Sequence, residues 1–116
     1  MGRRNRERSR LTPPSSEYRD SEGNTLTLRG SLRPGARRQY AKVLHGTPLS
    51  REDAWQRAIE FLFERLVVRW DVAGLPIERQ AELLGRYRMA SVQERRWVRD
   101  VLREHMAEHF PELEQP

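Results

Sequence analysis

The sequence contains no cysteine, no long apolar run and no glycine-rich phosphate loop, and each absence excludes a class of protein. Without cysteine, neither a disulfide framework nor a thiolate zinc site can form. No apolar stretch reaches the roughly 20 residues that span a bilayer, and no apolar segment follows the basic N-terminus as in a secretory signal. We therefore expect a protein of the cytoplasm, or of the host cytoplasm if the chain is viral, that uses neither a membrane nor a cofactor.

The positive charge is concentrated in residues 1–16, where five arginines face a single glutamate. These arginines are Arg3, Arg4, Arg6, Arg8 and Arg10. Proline and serine residues end the segment, which has almost no apolar side chain to bury. The pattern predicts a disordered basic arm at residues 1–16, one helical domain at residues 17–110 and a short tail at residues 111–116.

Local sequence signals predict where helices and strands form in that domain. Alternating apolar residues predict a β-hairpin at residues 17–29, which must dock on helices to be stable. Start and stop signals predict helices at residues 32–44, 50–72, 75–87 and 91–109, the last of them opened by a capping box. We therefore predict a mainly α fold, in which about four helices and a small N-terminal β-hairpin form a single domain.

The predicted long helix has two apolar stripes, whereas a helix of a small domain usually needs one. The first consists of Trp55, Ile59, Leu62, Phe63, Leu66 and Trp70. The second contains Phe61, Val68 and Val72, and Arg65 and Arg69 lie between the two stripes. Both stripes are core if the helix is central. In the alternative interpretation the second stripe and its arginines bind an apolar helix of another protein or of a second copy.

The last predicted helix contains an H-x-x-E-H pattern, formed by His105, Glu108 and His109. In one class of metalloprotease this pattern supplies two zinc ligands and a general base. A catalytic zinc needs a third protein ligand, but only seven residues follow His109. Both histidines also fall on the apolar side of the helix. We therefore predict core or interface histidines, no metal site and no enzyme.

A second basic run, Arg33, Arg37, Arg38 and Lys42, lies in the predicted helix at residues 32–44. Together with the arm, this run supports an alternative function, that of a small nucleic-acid-binding accessory protein. Against this alternative, the predicted domain is almost neutral, and the sequence has no helix-turn-helix glycine turn, RNP-like strand or zinc finger.

Two parallel rows of charge follow the last predicted helix. The basic row consists of Arg95, Arg96, Arg99 and Arg103, and the acidic row of Asp100, Glu104 and Glu108. The arginines could contact phosphates, an acidic partner or solvent, and a solvated, salt-bridged face is the favoured interpretation. The acidic neighbours would repel a nucleic-acid backbone.

The order of the predicted elements is similar to that of one protein family. The strand pair at residues 20–30, DSEGNTLTLRG, precedes a basic helix, and the long helix at residues 52–70 ends in Trp70 before a Gly-Leu-Pro break. Over residues 17–90 this order resembles the small tail assembly chaperones of long-tailed phages, especially those of actinobacterial hosts. The resemblance implies a mainly helical, non-enzymatic protein that binds the tape-measure protein and helps recruit tail-tube subunits. The basic arm is a departure from that family.

Overall fold

The computed structural model describes residues 15–45 and 50–114, so the five arginines of the predicted arm lie outside the described residues. Within the described ranges, two strands, two helices, two strands and two helices follow one another. They are β1 (Ser15–Arg19), β2 (Thr25–Arg29), α1 (Pro34–His45), α2 (Arg51–Leu66), β3 (Val67–Val72), β4 (Leu75–Ile77), α3 (Gln80–Arg88) and α4 (Val92–His109).

The four strands form one antiparallel sheet in the order β1-β2-β3-β4. β2 and β3 pair with each other although α1 and α2 separate them along the chain. One cross-strand row aligns Tyr18, Leu26 and Trp70, and these side chains pack into the same core as the helices. Alternate positions such as Glu17 and Arg69 are exposed on the other face, as expected for a sheet that is covered on one side.

The predicted mainly α fold is wrong, because the predicted long helix ends at Leu66 and the chain continues as β3. The segment that was expected to extend the helix, residues 67–72, is rich in β-branched and aromatic side chains, which pack well in a sheet. It pairs with β2 on one side and β4 on the other. The protein is therefore an α+β domain in which helices cover one face of a four-stranded sheet.

A β-bulge in β3 explains why the apolar pattern favoured a helix there. Neighbouring residues of β2 pair with Val67 and Arg69, so Val68 is an extra residue in the ladder. The bulge lets Val67 and Trp70 both face the core, and they are 4% and 1% exposed. Their spacing of three residues fits a helix as well as a bulged strand, so periodicity alone could not distinguish the two.

A tight hairpin, made of a two-residue turn and β4, stands where the third helix was predicted to start. Ala73 and Gly74 join β3 to β4 with φ angles of 51° and 80°, as in a type I′ turn. The Ala73 N–H donates to Asn24 Oδ1 at 2.9 Å, and Asp20 in turn accepts two hydrogen bonds from Asn24. The turns of the two hairpins therefore support each other.

The predicted hairpin at the N-terminus, the basic helix and the last helix are confirmed as β1–β2, α1 and α4. Ser50 caps α2, since its Oγ accepts a hydrogen bond from the Asp53 N–H at 3.2 Å. Ser91 and Glu94 form the predicted capping box at the start of α4. One hydrophobic core joins all the helices to the sheet. Its largest fully buried side chains are Trp70, Tyr40, Phe63 and Phe110.

Candidate functional site

A groove with a volume of about 540 Å³ lies between α2 and α4 and reaches the corner between α3 and α4. It is lined by Glu52, Trp55, Gln56, Ile59, Glu60, Tyr87, Arg88, Val92, Arg95, Arg96, Arg99 and Arg103. Five of these residues are arginines and two are glutamates, so the groove is cationic. The two helices that form its walls differ in charge, because the glutamates lie on α2 and most of the arginines on α4.

The α2 wall combines carboxylates with apolar surface. Glu52, Trp55, Ile59 and Glu60 stand at i, i+3, i+7 and i+8 and therefore fall on one side of the helix. Ile59 is only 5% exposed and belongs to the core, whereas Trp55 is half-buried and keeps part of its ring open to the groove. This wall offers an aromatic contact surface that is flanked by acceptors.

The α4 wall carries the basic row. Its buried side, with Val98 and Leu102 at 0% exposure, anchors the helix in the core. Arg95 and Arg99 lie close enough to Tyr87 to lower its pKa, in opposition to burial, which raises it. The acidic row lies on the opposite flank of α4, where Glu104 and Glu108 act on Tyr18 of β1. The fold thus separates the two rows onto different sides of one helix.

The favoured interpretation of a salt-bridged face does not fit the whole basic row. Arg103 lies 3.8 Å from Asp100, and Arg88 at the end of the groove pairs with Glu60 at 2.7 Å. Arg95, Arg96 and Arg99 form no salt bridge with any residue in the part of the chain that the structure describes. Three guanidinium groups in this groove are therefore available to an anionic ligand.

The floor of the groove is rigid and aromatic. Tyr87 is 9% exposed and stacks on Phe63 with ring centroids 5.0 Å apart. Burial is the main cause that raises the pKa of Tyr87, so the phenol stays neutral near pH 7. The groove thus combines guanidinium donors, carboxylate acceptors and an aromatic surface. This combination suits the binding of a ligand through both polar and apolar contacts.

The residues predicted to bind a partner do not share one surface. Phe61 and Arg65 lie together on α2, where the guanidinium stands 5.1 Å from the ring centroid and the ring stacks on Tyr40 of α1. Val68, Arg69 and Val72 belong to β3 instead of the helix. The single helical stripe that was predicted from these residues is therefore wrong, because the helix ends before Val68.

The residues that were predicted to bind a partner also differ in their surroundings. Arg69 lies on the exposed face of the sheet and pairs with Asp71 at 3.0 Å and Glu78 at 3.2 Å. Val68 is the bulge residue, and Val72 packs against the core beside the second hairpin turn. Of the predicted group, Phe61 lines a hollow of about 260 Å³ between α1 and α2.

The second basic run lies at the start of α1 and along it, as predicted, but its charge is partly neutralised. Arg37 pairs with Glu112 at 2.6 Å, whereas Arg33, Arg38 and Lys42 are exposed. Arg3, Arg4, Arg6, Arg8 and Arg10, the other predicted nucleic-acid contacts, lie outside the described residues.

The prediction of a core histidine is confirmed for His105, which is 0% exposed. Its Nδ1 lies 2.8 Å from the Tyr18 hydroxyl and its Nε2 lies 2.8 Å from the Arg29 carbonyl oxygen. Because a carbonyl only accepts, Nε2 carries the proton and Nδ1 accepts from the tyrosine. His109 approaches Ser16 of β1. The two histidines thus fasten α4 to the first hairpin.

Comparison of the chain with protein-family models, curated proteins and solved structures finds no match. Within residues 15–45 and 50–114, no group of three histidine or acidic residues could hold a metal ion. In the same ranges, no helix is long and apolar enough to cross a membrane.

The sequence contained the parts of the groove but not their arrangement. The basic row of α4 and the amphipathic pattern of α2 were both visible, yet no local signal places these helices side by side. That placement depends on β3, which brings the end of α2 back into the sheet. A helical interpretation of β3 therefore concealed the groove.

Proposed function

We propose that this chain is a non-enzymatic protein-binding factor that holds an acidic, amphipathic helix of another protein in the groove between α2 and α4. The observation that carries the proposal is the set of three arginines, Arg95, Arg96 and Arg99, which have no salt-bridge partner among the described residues and lie across from half-buried Trp55.

The spacing of the arginines favours a helical ligand. Arg95 and Arg99 stand at i, i+4, so their side chains are about 6 Å apart along α4. Carboxylates at the same spacing on a partner helix advance equally and can pair in register. Apolar side chains beside those carboxylates would cover Trp55 and Val92, and Val92 is 63% exposed.

The opposite wall sets the orientation of the ligand and argues against a nucleic acid. Although the groove has a net positive charge, Glu52 and the Glu60–Arg88 pair lie on one side of the arginines, and the acidic row of α4 lies on the other. An extended polyanionic backbone would therefore meet negative charge on both sides of the arginines. A protein helix can instead turn its cationic or neutral side toward these glutamates. Charge complementarity of this kind determines specificity and orientation more than affinity.

The resemblance to tail assembly chaperones adds a candidate for the partner, the tape-measure protein. The α+β fold departs from the mainly helical fold that this resemblance implied. The proposal of a protein-binding function therefore depends on the groove, and the identity of the partner on the resemblance. A small nucleic-acid-binding protein, acting through Arg33, Arg37, Arg38, Lys42 and the arm, remains the alternative.

A labelled helical peptide with glutamates at i, i+4 spacing beside leucines tests the proposal by fluorescence anisotropy. Replacing Arg95 and Arg99 by glutamine should weaken binding at least about tenfold, since about 1.4 kcal/mol corresponds to a factor of ten. The control variant, Arg38→Gln with Arg57→Gln, removes the same charge outside the groove and should leave affinity nearly unchanged.

Two outcomes would reject the protein-binding proposal. Equal losses in both double variants would show that net charge, and not the groove, determines binding. Tight binding of a short DNA duplex at physiological salt, with no binding of the peptide, would favour the nucleic-acid alternative.

A further inference from the structure

The segment that follows α4 lies along the basic helix α1 and contacts it at three points. Glu112 Oε1 is 2.6 Å from Arg37 Nη1, and Glu114 Oε1 is 2.9 Å from His45 Nε2. The Tyr40 hydroxyl donates to the main-chain carbonyl of Glu114. We call residues 111–114 the strap and the side of α1 that it covers the strap face.

Arg37 is held in position by more than its ion pair. Its Nε donates to the Leu32 carbonyl at 3.3 Å, and its guanidinium stands 5.4 Å from the centroid of the Phe110 ring. Phe110 is 1% exposed and belongs to the core, and neither it nor Leu32 is part of the strap. Arg37 would therefore keep its orientation if Glu112 left, which is the preorganisation that favours binding of another carboxylate.

Tyr40 adds a requirement for a main-chain carbonyl. The residue is 1% exposed, and burial raises the pKa of its hydroxyl, so the group acts as a neutral donor. A buried hydroxyl that loses its acceptor is unfavourable unless another acceptor replaces it. Any segment that displaces the strap must therefore present a carbonyl oxygen at the same place.

Leu113 supplies the apolar part of the interaction. Its side chain packs against the core between the two glutamates of the strap, and its N–H donates to the Phe110 carbonyl at 3.0 Å. The strap thus presents an acidic residue to α1, an apolar residue to the core and a second acidic residue to α1 in succession.

We propose that the strap face is a second binding surface, which takes a short segment of another protein with an acidic–apolar–acidic sequence, and that the strap occupies it until such a segment arrives. The chemistry of the occupant is given by the strap itself, whose carboxylates match Arg37 and His45. The exposed cations Arg33, Arg38 and Lys42 leave α1 basic even with the strap in place.

This surface is separate from the groove, because none of its residues lines the groove. Two of the three strap contacts join exposed polar side chains, Arg37 to Glu112 and His45 to Glu114, and such contacts contribute little to stability in water. A strap held by such contacts can be displaced by a ligand that repeats them and adds contacts to the remaining cations. Failure of one proposal therefore leaves the other intact.

The labelled hexapeptide Pro-Glu-Leu-Glu-Gln-Pro, which copies the strap sequence, is the probe for the strap face. The full chain carrying Glu112→Gln, Leu113→Ser and Glu114→Gln should bind it at least tenfold more tightly than the unchanged chain. In that background Arg37→Gln should abolish the gain, whereas Arg38→Gln, one residue along α1, should keep it. Equal binding before and after the strap substitutions would overturn the proposal.

A measurement on the unchanged chain decides the matter even if the triple variant unfolds. Excess peptide should raise the hydrogen-exchange rate of the Leu113 amide, because a released strap no longer packs against the core and leaves the one-turn hydrogen bond to Phe110 open to solvent. The same peptide with glutamine in place of glutamate should not. No change with the acidic peptide would overturn the proposal. A dimer of the unchanged chain that Glu112→Gln abolishes would also overturn it, by assigning the surface to a second copy.

Discussion

Two basic helices of this protein carry similar sequence signals but differ in what the fold places opposite them. In α1, the strap supplies carboxylates to Arg37 and His45. In α4, the groove leaves Arg95 and Arg99 without a salt bridge to any described residue. A similar spacing of arginines therefore gives a central arginine that is paired within the protein in α1, whereas the arginines of α4 that face the groove have no salt bridge among the described residues.

A row of arginines therefore identifies one face of a helix but does not determine what that face binds. The element that packs opposite the helix determines this, and in both cases that element comes from a distant part of the chain. Glu112 follows Arg37 by 75 residues, and the α2 wall of the groove precedes α4 by a helix and two strands. Substitutions on the two sides can break or sharpen this contrast.

The largest expected difference is in the free energy of unfolding, between substitution of Phe110 beside the strap face and substitution of Trp55 in the groove. Phe110→Ala should lower the free energy of unfolding by about 3–5 kcal/mol, since the ring is buried and its loss leaves a cavity. Trp55→Ala should cost about 1–2 kcal/mol, because the half-buried ring loses less contact with the core. Urea denaturation of both variants measures the two values. Equal losses would mean that the Trp55 ring contributes as much to the core as the Phe110 ring.

A smaller contrast separates the arginines themselves. Arg37→Ala should destabilise the protein by about 1–2 kcal/mol, from the loss of the Phe110 contact and of side-chain packing. Arg38→Ala, its exposed neighbour, should change stability by less than about 0.5 kcal/mol. Thermal melting of the pair tests this difference, and similar melting temperatures would show that the contact between Arg37 and Phe110 does not stabilise the fold.

Sequence patterns predicted most of the helices but not the sheet that determines the fold. The capping box at Ser91 and Glu94 is a local signal, since its partners are three residues apart, and it was confirmed. β3 has no such signal, because its identity depends on pairing with β2 across the intervening helices. The bulge at Val68 removed the alternation that would have indicated a strand.

The candidate groove was predictable only in its parts. The i, i+4 spacing of Arg95, Arg99 and Arg103 correctly placed them on one side of α4. Whether that side faces solvent, acid or an open groove depends on the position of α2, which periodicity does not determine. The strap was predicted only as a short tail, because its contacts join residues more than 65 positions apart.

The buried end of α4 gives a third contrast, which depends on pH. Burial is the main cause that lowers the pKa of His105, and His109 lowers it further, while the Arg29 carbonyl and Glu108 act in the opposite direction. The unfolded chain therefore binds a proton more readily than the folded one, so stability is complete above the ordinary pKa of 6.5 and falls as pH decreases below it.

Urea denaturation between pH 5 and 8 should show this loss, and His105→Gln should flatten it. The variant keeps a side chain that can donate and accept hydrogen bonds toward Arg29 and Tyr18, but it cannot take up a proton. An unchanged pH profile in the variant would show that His105 does not cause the loss of stability.

The smallest expected effect tests whether the open side of α4 is unfavourable to the fold. Arg99 has an arginine one turn away in each direction, and like charges at i, i+4 destabilise a helix by about 0.2–0.5 kcal/mol per pair. Arg99→Gln should therefore raise the free energy of unfolding by about 0.5 kcal/mol. The gain should largely disappear at about 1 M salt, where the Debye length is about 3 Å.

The same variant should bind the acidic helical peptide less tightly. A residue whose removal stabilises the fold and weakens binding contributes to recognition at the expense of stability. A loss of stability in Arg99→Gln would instead mean that Arg99 makes a stabilising contact within the fold, and the arginine row would then be structural.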